Sequence, residues 1–403
     1  MFDATFSHYL SYGATDQQTV RSLTGDYTGL LVPGTVAAFQ RDGTGGFVLA
    51  LSATPDSPEY AIDPRTPLFQ QHLSKPKKSH QSLAELLGIP GLIRPDDPDP
   101  SDFTDDVIET MAQNWAQFNG DYRAAAGSKF EKYAKRLGQP VQPRDARQPT
   151  FVLPPYFMAR RRRDPWWDVS QRLFRATIDE LADASRAVRV VATTSGLGLA
   201  DLLSEVDEDR AAIWVSGLEE LTSESEALAD YAVAVGEASD DGMNLFALYG
   251  GFYSVLMQNV GLAGSSHGIG FGEYRQWVEL PSSGPPPARY YLPQLHRYVQ
   301  PDEATQLYFA DRRLAECDCV ECESEPPIAL DYHALMRHSV RCRAAEIDEW
   351  SDLGVAAAVE RLTDEFGEFR SILHSCGLPD IAVNRIEQRG AHMTRWIESL
   401  ASL

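Results

Sequence analysis

The sequence predicts an α/β fold, a (β/α)8 TIM barrel followed by a C-terminal zinc-binding helical subdomain. Three observations support this prediction: a length of 403 residues, eight short apolar runs that mostly alternate with helical patterns, and a cysteine-rich segment after the last run. A barrel with an added subdomain fits this length, and the alternation favours a parallel sheet over a sandwich. A doubly wound open sheet is the alternative, although no G-x-G-x-x-G motif follows the first predicted strand.

Each predicted strand is a short apolar run that ends in turn residues or gives way to helical periodicity. The runs cover 27–34, 47–52, 59–64, 151–159, 187–194, 211–216, 244–250 and 266–271. Helices are predicted at 199–206, 224–238 and 252–260. Residues 74–149 are predicted to be a helical excursion from the barrel, so the first predicted domain is 1–280.

The second predicted domain, 281–403, begins with a linker rich in proline and serine at 281–287. A short strand at 288–293 and a helix at 301–313 are expected next. After the cysteines the sequence predicts helices at 331–353, 355–374 and 380–402.

The composition is acidic and poor in lysine. The net charge is −22, and only six of the 36 basic residues are lysines. Such a surface is typical of a halophilic cytoplasmic protein, with an acidic mesophile as the alternative. An acidic charge normally argues against nucleic-acid binding, but in molar salt the Debye length falls to ~3 Å, so a local arginine patch can still bind. The N-terminus lacks a signal-peptide pattern and no apolar run approaches the ~20 residues of a membrane span, so we expect a cytoplasmic protein with no membrane contact.

Three cysteines in a C-x-C-x-x-C pattern, Cys317, Cys319 and Cys322, have the spacing of metal ligands. Thiolates this close can surround one ion, and zinc is the metal that they favour. A disulfide framework is less consistent with an odd count of five cysteines and an intracellular setting. A reduced, metal-free cluster in an acidic loop is the remaining alternative.

Candidate catalytic residues lie where a barrel places its chemistry, at the carboxyl ends of strands. Asp63 ends the third predicted strand and Glu273 follows the eighth, so these two carboxylates could serve as nucleophile and acid/base. Gly250 and Gly251 would let a flat ring approach the backbone. His267 lies among glycines at the same rim. Helix caps, salt bridges and strand-to-helix turns are the alternative roles.

Arginines at the same rim are candidates for contacts with substrate. Arg160 and Arg162 belong to a run of four arginines that is followed by two tryptophans, a combination suited to phosphate contacts. Arg275 lies two residues after Glu273. A solvated, non-binding face is the alternative for the arginine run.

The segment from Cys317 to Cys322 and the helix at 335–342 resemble the tRNA-guanine transglycosylase superfamily. The resemblance implies a (β/α)8 barrel, bound Zn2+, and exchange of guanine for a 7-deazaguanine base in DNA or tRNA. Family members place a histidine ligand about one helix further on, where this sequence has Asp352-Leu353-Gly354-Val355. His338 is therefore expected as the fourth ligand, with Cys342 as the alternative one helical turn away.

The barrel shows weaker matches to the same superfamily. Asp63 to Gln70 corresponds loosely to the family motif whose aspartate acts on the base, and Gly250-Gly251 to its base-binding glycines. The nucleophilic aspartate has no clear equivalent, so Glu273 would take its place. The pattern is closer to the DNA-acting branch than to a tRNA enzyme. Two alternatives remain. One is a catalytically inactive barrel that binds nucleic acid or assembles with partners, and the other is an unrelated barrel hydrolase. We also expect a homodimer or partner subunits.

Overall fold

The computed structural model describes residues 5–13, 17–73, 75–94, 96–127, 129–138, 140–277, 287–323 and 325–403, so nearly all of the predicted linker at 281–287 lies outside them. The central element is a seven-stranded parallel sheet in the order β3-β2-β1-β7-β6-β5-β4. Its strands are β1 Ser7–Ser11, β2 Gly29–Pro33, β3 Glu59–Asp63, β4 Arg189–Thr193, β5 Arg210–Val215, β6 Asn244–Ala247 and β7 Leu262–His267.

Helices pack around this sheet and form the C-terminal part of the chain. They are α1 Gln17–Arg21, α2 Gly34–Phe39, α3 Arg41–Ser52, α4 Lys78–Leu87, α5 Asp105–Gly120, α6 Lys129–Leu137, α7 Pro165–Glu180, α8 Gly196–Leu203, α9 Ser225–Asp240, α10 Phe252–Leu256, α11 Pro301–Ala310, α12 Tyr332–Trp350, α13 Val355–Ser375 and α14 Asp380–Ala401. The predicted excursion supplies α4, α5 and α6, which pack on α2, α3 and α7.

The sheet is curled, and an irregular segment at 150–159 lies between its edge strands β3 and β4. The Thr150 N–H donates to Tyr60 of β3, and two isolated parallel bridges join the segment to the β4 side. Alternate residues from β1 to β6 and from this segment form one buried cluster inside the curl, separate from the larger core beneath the helices. The architecture is a curled parallel α/β sheet, and a closed eight-stranded barrel is not confirmed.

The prediction of a strand at 47–52 is wrong, because these residues form the second half of helix α3. The run is buried on all sides, and a short apolar run of this kind does not distinguish a strand from a buried helix. The glycines before it allow close helix packing rather than a turn. A Cβ on Gly45 would lie 2.6 Å from that of Ala125, and one on Gly46 would lie 2.7 Å from that of Lys129 in α6.

Two further strand predictions need correction. The run at 151–159 is not a regular strand, since Pro154 and Pro155 have no N–H to donate to a ladder. The last strand of the sheet is Leu262–His267, earlier in the chain than the predicted 266–271. Strand β1 was not predicted at all. The strands at 27–34, 59–64, 187–194, 211–216 and 244–250 are confirmed with shifts of a few residues at their ends.

The C-terminal part begins with a short antiparallel pair, β8 Tyr290–Leu292 and β9 Arg297–Val299. Helix α12 packs against β8 and α10, and α14 packs against both α13 and α9. The predicted helices of this part are confirmed. Helix α12 is therefore held between the cysteine segment and the sheet, next to the chain that follows β7.

Candidate functional site

Asp63 is the last residue of β3 and is completely buried at the carboxyl edge of the sheet. Its Oδ1 accepts hydrogen bonds from the Arg65 backbone N–H at 3.0 Å and from the Tyr156 hydroxyl at 2.8 Å. Its Oδ2 accepts from the Tyr249 hydroxyl at 2.6 Å and pairs with the Arg65 guanidinium at 3.4 Å. Pro64 ends the strand, and Arg65 follows it in a left-handed conformation with φ 54°.

Tyr249 follows β6 and lies between two arginines. The Arg65 and Arg275 guanidinium carbons lie 5.7 and 5.6 Å from its ring centroid, within cation–π range. The Trp214 ring meets it edge-on at 5.1 Å. Burial raises the pKa of Tyr249 to about 12, with the Arg65 charge opposing the rise. The hydroxyl is therefore neutral near pH 7 and donates to Asp63.

Gly251 separates two carboxylates at the start of α10. A Cβ added there would lie 2.7 Å from Glu220 Oε2 and 2.9 Å from Glu273 Oε2, so only glycine fits without displacing them. Glu220 accepts hydrogen bonds from the N–H groups of Gly251 and Tyr253, both at 2.8 Å, and so caps this helix. The carboxyl groups of Glu220 and Glu273 therefore both lie against the backbone of Gly251.

Glu273 differs from an ordinary surface carboxylate. Its pKa is raised from the ordinary value of 4.5 to about 7, chiefly by burial; the Arg343 charge opposes the rise and the Glu220 charge adds to it. Arg343 donates to Glu273 at 2.6 Å. A carboxyl group with a pKa near 7 can both give and take a proton near neutral pH.

These groups line a narrow cavity between Trp214, Tyr249, Glu273 and Arg275 at the carboxyl ends of β5 and β6. The cavity measures about 20 Å³, which is room for about one water molecule. Asp63 and Glu273 both reach the Tyr249–Gly251 strip: Asp63 accepts a hydrogen bond from the tyrosine, and Glu273 adjoins the second glycine.

The three cysteines of the C-x-C-x-x-C segment converge with His338 of α12. Their ligand atoms all lie within 4.8 Å of one another. Cys319 and Cys322 sulfurs are 3.6 Å apart, and His338 Nδ1 lies 3.3 and 3.4 Å from them. A tetrahedral zinc with Zn–S bonds of ~2.3 Å places its sulfurs about 3.8 Å apart, so the donor set fits zinc.

The surroundings of the cluster suit a metal centre as well. His338 Nε2 lies 2.6 Å from the Tyr291 carbonyl oxygen, which leaves Nδ1 facing the sulfurs, as for a ligating histidine held by a second hydrogen bond. Glu321, inside the cysteine segment, pairs with Arg337 and Arg341 of α12 and attaches the segment to the helix. The cysteines and His338 could hold a metal, most naturally zinc.

Cys342 is a fifth potential ligand at this cluster. Its sulfur lies 3.5 Å from Cys317 Sγ and 3.5 Å from His338 Nδ1. The sequence left the choice of fourth ligand between His338 and Cys342. The structure groups His338 with the three cysteines and places Cys342 beside them.

The remaining predicted site residues are not gathered at the cavity. Arg160 and Arg162 lie exposed in the turn before α7, and Arg162 pairs with Asp201 of α8 and with Glu205 just after that helix. His267 pairs in register with Leu10, so it lies on the helix-facing side of the sheet rather than inside the curl. Its Nε2 is 2.7 Å from Ser265 Oγ.

Sequence reasoning missed several residues of the site: Tyr156, Trp214, Glu220 and Arg343. Trp214 lies inside β5 and Glu220 lies five residues after its last residue, so the nearby strand end is the only sequence signal for these two. Tyr156 lies in a segment that looked like a strand interior. No sequence signal marked Arg343 apart from its place next to Cys342.

The fold and site define a class of protein: a curled parallel α/β protein with paired carboxylates at its sheet edge and a candidate Cys3His metal centre beside it. No protein-family model matches the chain, and no curated protein matches it either. Among the described residues, no helix has both the length and the apolar character needed to cross a membrane.

Proposed function

We propose that the protein is a base-exchange glycosyltransferase that replaces guanine with a 7-deazaguanine in DNA or tRNA. The observation that carries the proposal is the placement of Asp63 and Glu273 along one strip, where Asp63 accepts from the Tyr249 hydroxyl and Glu273 adjoins Gly251, at the sheet edge where a (β/α)8 enzyme places its chemistry. The cysteine cluster on the following subdomain is the second feature that the transglycosylase resemblance implies.

The reaction needs one carboxylate at the sugar and one group that handles the proton of the base. The nucleophile attacks C1′ and forms a C–O bond while the C1′–N9 bond breaks; guanine leaves with a proton, and the incoming base reverses both changes. A paired base is shielded, so the target nucleotide must be flipped out or already unpaired.

The resemblance implies that Asp63 acts on the base and that Glu273 is the nucleophile. The surroundings of the two carboxylates favour the opposite assignment. Glu273, with a pKa of about 7, is suited to proton exchange with the base. Asp63, which pairs with Arg65, is then the carboxylate that attacks C1′. Attack requires the Tyr156 or Tyr249 hydroxyl to release one oxygen, and the chain at 271–277 must move to admit a base.

Zinc at the Cys3His cluster would have a structural role, since four protein ligands leave no open position for substrate. The cysteine segment would be joined to α12 through this site. Cys317, Cys319, Cys322 and His338 would hold it, and the hydrogen bond from His338 to Tyr291 would orient the ring.

A second candidate function is a catalytically inactive module that binds nucleic acid or assembles with partners. The observation that favours it is the saturation of both Asp63 oxygens beside a cavity of only about 20 Å³. In this case the exposed arginines before α7 would carry the binding function.

The test is incorporation of labelled guanine or a 7-deazaguanine into DNA and tRNA. The wild type should incorporate label, Asp63→Ala should abolish both incorporation and any denaturation-resistant complex with nucleic acid, and Glu273→Gln should slow exchange. Glu237→Gln, which alters an exposed carboxylate of α9, is the control and should match the wild type. A wild type inactive on both polymers would contradict the proposal and favour the inactive module.

A further inference from the structure

Helix α12 links the candidate metal centre to the candidate active site. His338 and Cys342 lie one turn apart and face the cysteine cluster. Arg343, the next residue, points away from the cluster and reaches Glu273. One rigid element therefore carries a metal ligand and the cationic partner of a proposed acid/base group only five positions apart.

Arg343 is almost completely buried, at 2% exposure. It donates to Glu273 at 2.6 Å, pairs with Glu346 at 3.0 Å, and lies 5.7 and 5.0 Å from the ring centroids of Phe252 and Tyr291. A buried guanidinium held on four sides has little freedom to reorient. It therefore sets the place of the carboxyl group that it contacts.

A second contact holds the chain between β7 and Glu273 on the same helix. Gly270 has φ 78°, and a Cβ there would lie 2.1 Å from Met336 Sδ. Met336 and Arg343 are seven residues apart, two turns on one side of α12. The segment 268–273 therefore lies along the helix from the level of the metal cluster to Glu273.

We infer that Arg343 is a positioning residue for Glu273, and that a metal bound at the Cys3His cluster keeps it in place by anchoring the first half of α12. The inference rests on the proposed function only in naming Glu273 as the group that serves catalysis. Without the ion, the cysteine segment retains the ion pairs of Glu321, but His338 loses its tie to the sulfurs. The helix and segment 268–273 then become free to move together.

The first test measures hydrogen exchange in a peptide covering 268–277, which requires no substrate. Removal of metal from the wild type by a chelator should speed exchange there. Arg343→Met should do the same with its metal content unchanged. Arg370→Met is the control, since Arg370 lies on α13 and pairs with Glu387 of α14 rather than with Glu273 or the cysteine segment. Exchange at 268–277 that is unaffected by both chelation and Arg343→Met would overturn the inference.

The second test is kinetic and uses the full chain. Arg343→Met should lower kcat about a hundredfold, the scale of a misplaced catalytic group, with little change in KM, and Arg343→Lys should restore part of it because a cation returns beside Glu273. A loss in the control Arg370→Met equal to that of Arg343→Met would contradict a positioning role. If Arg343→Met does not fold, Arg343→Lys and the chelation experiment decide the matter. A wild type without exchange activity would refute the proposed function and leave the hydrogen-exchange result standing.

Discussion

Replacement of Glu273 by glutamine should make the protein more stable at alkaline pH. The pKa of Glu273 in the folded protein is about 7, against 4.5 when unperturbed. Between these values the folded state holds a proton that the unfolded state has lost, so stability falls as pH rises. The stability contributed by the protonated group is complete below pH 4.5 and is lost as pH rises through about 7.

The size of the effect follows from the two pKa values. At 1.36 kcal/mol per pH unit, the difference between 4.5 and about 7 corresponds to about 3 kcal/mol at high pH. From pH 5.5 to pH 8.5 the advantage of Glu273→Gln over the wild type should grow by about 2 kcal/mol. The Glu273 side chain is only 13% exposed, so solvent screening reduces this figure little.

The assay is guanidinium denaturation of the wild type and Glu273→Gln at pH 5.5, 7 and 8.5, with metal content matched. Glutamine can still accept a hydrogen bond from Arg343, which also retains Glu346. The control, Glu237→Gln, removes the same charge from an exposed site and should show no such pH-dependent gain. An advantage that is constant with pH, or that shrinks as pH rises, would refute the assignment of a raised pKa to Glu273.

Three further outcomes are expected. Purified protein should contain about one zinc per chain by elemental analysis, and His338→Ala should lose more of it than Cys342→Ser; metal well below one per chain with all thiols free would contradict the site. Gly251→Ala should destabilise the protein by about 1–3 kcal/mol in thermal or chemical unfolding, because its Cβ would press on two carboxylates; an unchanged stability would show that those groups move easily. Arg160→Ala combined with Arg162→Ala should weaken nucleic-acid binding about equally across sequences and flatten its salt dependence; unchanged binding would identify the run as a solvated face.

The sequence predicts an element of this fold well where that element has a clear local pattern of apolar residues. The strands at β2, β3, β4, β5 and β6 were recognisable as apolar runs with clear ends, and the long helices as periodic ones. Strand β1, Ser-His-Tyr-Leu-Ser, has too few apolar residues to stand out, since its burial comes from neighbours on both sides. The half of α3 at 47–52 was misassigned because complete burial removes the periodicity that marks a helix.

The residues of the candidate site likewise divide into those that local sequence predicts and those that it does not. The cysteine cluster was predictable because its three cysteines are close in sequence. His338 was predictable because it lies on the helix that directly follows them. Asp63 was predictable as a strand end. Its partners were not, since Tyr156 and Tyr249 reach it across 93 and 186 residues. The Glu220–Glu273 pair and the Arg343 contact likewise depend on how three distant segments pack, which local sequence does not encode.

The most direct test of the proposed base exchange is mass spectrometry of nucleosides from DNA and tRNA of cells with and without the gene. The account predicts a 7-deazaguanine nucleoside in one of the two polymers that is present with the wild-type gene and absent without it. The gene carrying Asp63→Ala should behave as the deletion does. Identical nucleoside profiles in DNA and tRNA, with and without the wild-type gene, would contradict base exchange.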